Sequence, residues 1–296
     1  MASTEHNVIF ILGVQKTGTS SLVGMLNCHP QVFLLYETQI YRSFVSKYGN
    51  QLLFRYPELR PLMRCTDDIG EPYRDFLQWL KDRFPETGYS CVGDKLVDLD
   101  AATLRRISAY PTIMAIRDVR SWLCKQQIIE YYRTDIDVIT PAVEFVKHIL
   151  SGFLYDRCFR VRLEDLVHRN HEVITGLSQF LGLDLTVHAD EWWNKTQQWP
   201  DDNPKSAVQW FKGHASSRVK PVQMDTAYDL TRHSFWDALL PIFEKYYYSD
   251  GCHSESEVRG DLHELDRLRE LAPLPLEKAY TRFSSRRLAP PVLERW

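Results

Sequence analysis

The residues best equipped for chemistry lie near the start of the chain. Gln15, Lys16, Thr17, Gly18, Thr19, Ser20 and Ser21 bring together an amide, an ammonium, four hydroxyls and a glycine. Groups of these types suit an oxyanion. Backbone N–H groups at a helix start, the positive end of the helix dipole, hydroxyls and a lysine can converge on one phosphate-like group. Further along stand a lone carboxylate, Glu37, a lysine, Lys95, and an arginine, Arg117. A carboxylate beside an anion site can take a proton from an attacking group. A guanidinium can donate two parallel hydrogen bonds to one phosphate.

These residues need elements to hold them. Val8-Ile9-Phe10-Ile11-Leu12 is a short apolar run, which predicts a strand buried on both faces. The loop Gly13 to Gly18 follows, and Leu22, Val23, Met25 and Leu26 then predict a helix that Pro30 stops. Val32 to Tyr36 predicts a second strand with Glu37 at its end. In open α/β sheets ligands bind beyond the carboxyl ends of strands, so Glu37 would face the first loop. Tyr89 to Lys95 and Thr112 to Arg117 read as further strands ending in a cation. The glycines alone decide nothing, because 13 glycines in 296 residues give about 0.6 pairs at that spacing by chance. A Walker A loop would set its lysine directly after the second glycine, ahead of a Ser or Thr for Mg²⁺. Here Thr19 holds that place and Lys16 precedes Gly18.

Lys16-Thr17-Gly18-Thr19-Ser20 resembles the Lys-x-Gly-Thr-Thr/Ser loop of sulfotransferases that use 3′-phosphoadenosine-5′-phosphosulfate, PAPS. The continuation through Leu22, Leu26, His29-Pro30 and Val32 is similar to the branch holding the heparan sulfate and bacterial small-molecule enzymes. The resemblance spans roughly residues 7 to 220. It implies an α/β fold, with a P-loop-type central parallel sheet flanked by helices in a single catalytic domain, residues 1–250. A C-terminal helix and extended tail, 251–296, would follow.

The resemblance also assigns roles. Glu37-Thr38-Gln39 resembles a Glu-Thr-His element whose glutamate is the general base, with Gln39 standing where the histidine often lies. Lys95 matches the lysine of a Gly/Glu-Lys-Thr-Pro strand end, near the sulfuryl group or the acceptor, although Leu96-Val97 replaces Thr-Pro. Arg117-Asp118 resembles the Arg-Asp-Pro element in which the arginine, with a serine eight residues on, holds the 3′-phosphate. Val119 replaces that proline and Lys125 stands at the serine position. Arg162-Leu163-Glu164-Asp165 resembles a Tyr-Glu-Asp-Leu turn that starts a helix through Leu177 and Phe180. Lys212, Gly213 and Arg218 resemble a loop that closes over the 3′-phosphate and adenine. Lys16, Glu37 and Lys95 are thus the expected catalytic residues. Gln15 to Ser21, Arg117, Lys125, Lys212, Gly213 and Arg218 would bind PAPS and its product PAP.

Composition bounds the reading. An apolar fraction of 44% supports a sizeable core, and a net charge of −3 argues against a dedicated nucleic-acid binder. The start MASTEHN lacks a basic and an apolar region, and the first apolar run is far short of the ~20 residues that span a bilayer. A cytoplasmic protein with no membrane partner is the expectation. Scattered cysteines without a Cys-x-x-Cys pair point away from zinc and a disulfide framework. The aromatics of 73–84 read as core more than acceptor contacts. Val258, Leu262, Leu265, Leu268 and Leu271 form one apolar stripe, which fits a docked helix or a homodimer contact.

The implied reaction moves a sulfuryl group from PAPS to a hydroxyl or amine of a small-molecule acceptor, in line and without a metal. Lys16, Thr19 and Ser20 would steady the leaving phosphate while Glu37 takes the acceptor proton. Two other readings remain open at this point: a P-loop nucleotide-dependent kinase, and a non-catalytic PAP-binding protein.

Overall fold

The computed structural model describes residues 7–42, 46–97, 101–123, 139–168, 171–186, 205, 235–249 and 252–270. Its centre is a five-stranded sheet built from β1 (Val8–Leu12), β2 (Val32–Tyr36), β3 (Cys91–Leu96), β4 (Thr112–Ile116) and β5 (Cys158–Arg162). The strands run parallel in the order β2-β3-β1-β4-β5. Every residue of β1 is buried, as its unbroken apolar run requires of a central parallel strand.

Strand parity divides the core. Val8, Phe10 and Leu12 of β1 join Phe33, Leu35 and the aromatics Tyr73 and Phe76 on one face. Ile9 and Ile11 join Leu22, Val23 and Leu26 on the other. The helices on these faces are α1 (Thr19–Cys28), α2 (Lys47–Arg55) and α3 (Glu71–Arg83). After β3 come α4 (Ala101–Ile107) and, beyond β4, α5 (Val119–Leu123). In α3, Tyr73, Phe76, Leu77 and Leu80 are buried against the sheet, so these side chains are core. A third cluster packs Met114, Ile116 and Trp122 against the helices Ile139–Ser151, Phe235–Tyr247 and Glu255–Glu270. The last of these buries Val258, Leu265 and Leu268, which makes it a docked helix. Residues 271–296, the expected extended tail, lie outside the described residues.

One expectation is corrected. The single helix from Glu164 through Phe180 is two, Leu163–Val167 and His171–Leu181. The first closes at His168, whose N–H bonds back to Glu164 O at 3.0 Å while its own ψ of 2° leaves the helical path. The second starts with Glu172 in its first turn. It ends at Gly182, at φ 67°, where the N–H of Leu183 reaches Ser178 O at 3.0 Å.

The strand order places the site. From β1 the chain turns toward β2, and from β4 it turns the other way toward β5. Neighbouring strands whose connections part leave a crevice at their carboxyl ends, and residues 13–18 and Arg117 both emerge there.

Candidate active site

The loop after β1 is fastened by its carbonyls. Val14 O accepts from Thr17 Oγ1 at 2.7 Å and from Thr17 N at 3.3 Å. Gln15 O accepts from Trp122 Nε1 at 2.7 Å, and Lys16 O from Arg117 Nη1 at 3.3 Å. Trp122 is held in turn by a stack on Phe145 with centroids 4.5 Å apart. Three consecutive carbonyls are therefore tied to α5, to the end of β4 or back into the loop. Among the described residues the helix start has no such partners of its own. Leu22 N is the first α1 amide bonded to a carbonyl at the helix entry, Gly18 O, at 3.0 Å. The amides of Thr19, Ser20 and Ser21 come before any intrahelical acceptor, and no side chain among the described residues caps them. They form the anion-seeking end of a helix ten residues long.

Backbone conformation explains the glycine. Gly18 sits at φ 96°, and a Cβ there would run into Leu163. Lys16 adopts φ 72° without being glycine, a conformation few L-residues adopt. Its side chain is exposed at the mouth of the loop. Thr17, expected among the ligand contacts, has a structural part in the turn. Both its donors go to Val14 O, and its side chain is buried, so it shapes the turn. Thr19 is buried as well, while Ser20 and Ser21 are half-buried.

Arg117, at the end of β4, is nearly buried. Burial lowers its pKa, and the nearby Glu164 partly offsets this. Its Nε and Nη2 both donate to Ser121 Oγ, at 2.9 and 2.6 Å, and Nη1 donates to Lys16 O. Among the described residues those bonds use three of the five N–H groups, which leaves two for an anion. Ser121 is a member of the site that the sequence reading did not single out. It lies four residues after Arg117, on the first turn of α5. Asp118 starts that helix by accepting from Ser121 N at 3.1 Å and Arg120 N at 2.9 Å.

The second half of the site comes from β2 and β3. Lys95 Nζ donates to Glu37 Oε1 at 2.7 Å, lies 3.4 Å from Ser20 Oγ and sits 3.9 Å from the centre of the Tyr36 ring. Tyr36 OH and Ser20 Oγ are 2.5 Å apart. Lys95 is buried rather than solvated, although it stands at a strand end. Glu37 follows β2 at φ 53°, with its N–H on Lys95 O at 2.9 Å. The expected base, the expected lysine and a hydroxyl of the α1 start thus form one contiguous cluster. Tyr36, adjacent to Glu37 in sequence, is a member that residue typing overlooked. Lys125, Lys212, Gly213 and Arg218 lie outside the described residues.

No family model matches the chain, and no curated protein matches it. Solved structures do. A mouse sulfotransferase, SULT7A1, complexed with PAP is 12% identical, with 91% of this chain and 90% of that chain covered and a TM-score of 0.42. A retinol dehydratase in complex with androsterone and the inactive cofactor PAP is 13% identical, covering 84% and 83%, with a TM-score of 0.40. The sulfotransferase domain of the Synechococcus PCC 7002 olefin synthase is 17% identical, covering 93% and 98%, with a TM-score of 0.39. At such identities and scores the likeness lends no weight to particular residues, and the chemistry must come from the geometry above.

Among the described residues no group of His, Cys, Asp and Glu is arranged to hold a metal ion, and no helix is long and apolar enough to cross a membrane.

Proposed function

We propose that this protein is a sulfotransferase that moves a sulfuryl group from PAPS to a hydroxyl or amine of a small-molecule acceptor. The observation that carries this reading is the meeting of Glu37, Lys95 and Ser20 at the helix start that follows the lysine loop. An anion site alone would serve any nucleotide. An anion site with a carboxylate at its edge suits transfer to a neutral nucleophile that must lose a proton.

The residues present fit PAPS. The amides of Thr19, Ser20 and Ser21, with Lys16 at the mouth of the loop, would hold the phosphosulfate end, and the two remaining N–H groups of Arg117 would hold a second phosphate. Bound PAPS supplies an activated sulfuryl group on a phosphate that leaves as PAP. Lys16 and the helix-start donors offset the negative charge that develops there. Lys95 holds one oxygen of Glu37, which leaves the other to accept the acceptor's proton. Thr17 and Trp122 keep the loop in shape. Lys125, Lys212, Gly213 and Arg218 are proposed as further phosphate and adenine contacts, residues 1–250 as the catalytic unit, and the cytoplasm as its place of work.

Melting the protein with PAP, and separately with ATP and Mg²⁺, tests the nucleotide. PAP at 100 times its Kd should stabilise by ~2.7 kcal/mol. Stabilisation by ATP and Mg²⁺ with none by PAP would overturn the proposal in favour of a kinase. Incubation with labelled PAPS and a panel of hydroxyl and amine metabolites then separates an enzyme from a silent PAP binder.

A further inference from the structure

Beneath the Glu37–Lys95 pair lies a second carboxylate that the reaction does not use. Asp94 precedes Lys95 on β3, so the two side chains leave opposite faces of the sheet. Lys95 turns to Glu37, and Asp94 turns into the core beside α3, fully buried. Asp94 Oδ1 accepts from Thr38 N at 3.3 Å. Its Oδ2 accepts from Thr38 Oγ1 at 2.8 Å, Gln39 N at 2.7 Å and Tyr73 OH at 3.1 Å. Three of these four donors belong to the two residues that directly follow Glu37.

That turn has an unusual backbone. Glu37 and Gln39 stand at φ 53° and 52°, a region L-residues enter reluctantly unless the surroundings enforce it. The enforcement on view is Asp94, together with the bond from Glu37 N to Lys95 O. The same strand end therefore grips the turn on one face and presents Lys95 to the Glu37 carboxylate on the other.

We propose that Asp94 is a positioning residue: its carboxylate clamps the 37–39 turn in the left-handed conformation that delivers Glu37 to Lys95 and the helix start. This rests on the sulfotransferase reading for what Glu37 does, and on geometry alone for how Glu37 is held. Among the described residues Asp94 has no cationic partner, and its four donors are neutral. The titratable groups around it are Tyr73 from α3, with Tyr41 and Arg42 of the segment after β2 acting on Tyr73 in turn, and Lys95 on the far face. Burial pushes the Asp94 carboxyl up to about 7, while the four hydrogen bonds pull it down. A proton on Asp94 adds a donor where four donors already point, so the clamp loosens as the pH falls below about 7 and Glu37 leaves its place.

The test uses the full chain with three variants, Asp94→Asn, Tyr73→Phe and Thr38→Val. The first readout is the Gln39 backbone amide resonance followed against pH. The wild type should titrate with a midpoint near 7, Asp94→Asn should abolish that titration, and Tyr73→Phe, which removes one bond to the carboxylate, should raise the midpoint. The second readout is transfer from labelled PAPS, with 4-nitrophenol as the probe acceptor. Asp94→Asn should lose roughly 10- to 100-fold in kcat with KM for PAPS held within about twofold, as expected of a displaced catalytic group. Thr38→Val should lose less, in the same parameter. A Gln39 amide that does not titrate, or does so unchanged in Tyr73→Phe, overturns the proposal even if Asp94→Asn fails to fold. Failure of PAP to stabilise the wild type would sink the sulfotransferase reading instead, and the Gln39 titration would still decide the clamp.

Discussion

Replacing Lys95 by methionine and Glu37 by glutamine, singly and together, measures what holds the centre of the site. At 2.7 Å two unit charges attract by ~6 kcal/mol at an effective dielectric of about 20. Desolvation opposes this, because the Lys95 side chain is 5% exposed and that of Glu37 22%. Removing one partner of a buried pair costs about 3–5 kcal/mol. The partial exposure of Glu37 lets water repay some of that, so Lys95→Met should destabilise by about 2–3 kcal/mol. Glu37→Gln should cost about 2 kcal/mol, since a neutral amide leaves the Lys95 ammonium short of charge but not of an acceptor. The double variant should cost less than the sum, with a coupling of about 2 kcal/mol. Urea unfolding of the four proteins, with equal m-values, gives that number. A coupling below about 0.5 kcal/mol would mean that the two side chains do not meet in solution, and the cluster would lose its centre.

Other outcomes follow from the same geometry. Ser121→Ala takes away the acceptor for two N–H groups of Arg117 and should cost about 1–3 kcal/mol in urea unfolding. It should also weaken PAP binding, read as a smaller ligand-induced rise in melting temperature. Gly18→Ala places a methyl against Leu163 at φ 96° and should destabilise by about 2 kcal/mol or more. Stability should vary with pH through Asp94, whose carboxyl rises from 3.8 to about 7 on folding. The folded state holds its proton more tightly, so this contribution is complete below about pH 4 and lost as the pH rises through about 7. The span is worth up to ~4 kcal/mol, and a stability series from pH 4 to 8 on wild type and Asp94→Asn would show it. No such difference between the two would contradict the burial argument.

Much of this arrangement can be read from the chain because parallel central strands advertise themselves. The run Val8–Leu12 has no polar residue, which only a strand covered on both faces tolerates, and the lysine, glycine and hydroxyls after it mark a helix entry. Glu37 and Lys95 were legible as strand-end residues, but their pairing was not. They are neighbours only because β2 and β3 lie side by side, and strand order is a long-range property. Ser121 escaped because nothing in the sequence marks it as a partner of Arg117. A helix start immediately after Arg117 brings the fourth residue under the guanidinium. Asp94 is invisible as a site residue for a simpler reason: alternation along β3 sends it to the opposite face from Lys95, where it acts through a turn it does not adjoin in sequence. The break at His168 was missed because no proline marks it: none lies between Glu164 and Phe180.

The most direct test of the account is transfer of labelled sulfur from PAPS by wild type, Lys16→Ala and Glu37→Ala, with PAP binding measured in parallel by calorimetry. Transfer by the wild type alone is expected, with PAP affinity kept in Glu37→Ala and reduced in Lys16→Ala. Equal PAP affinity in wild type and Lys16→Ala, or full transfer by Glu37→Ala, would contradict it.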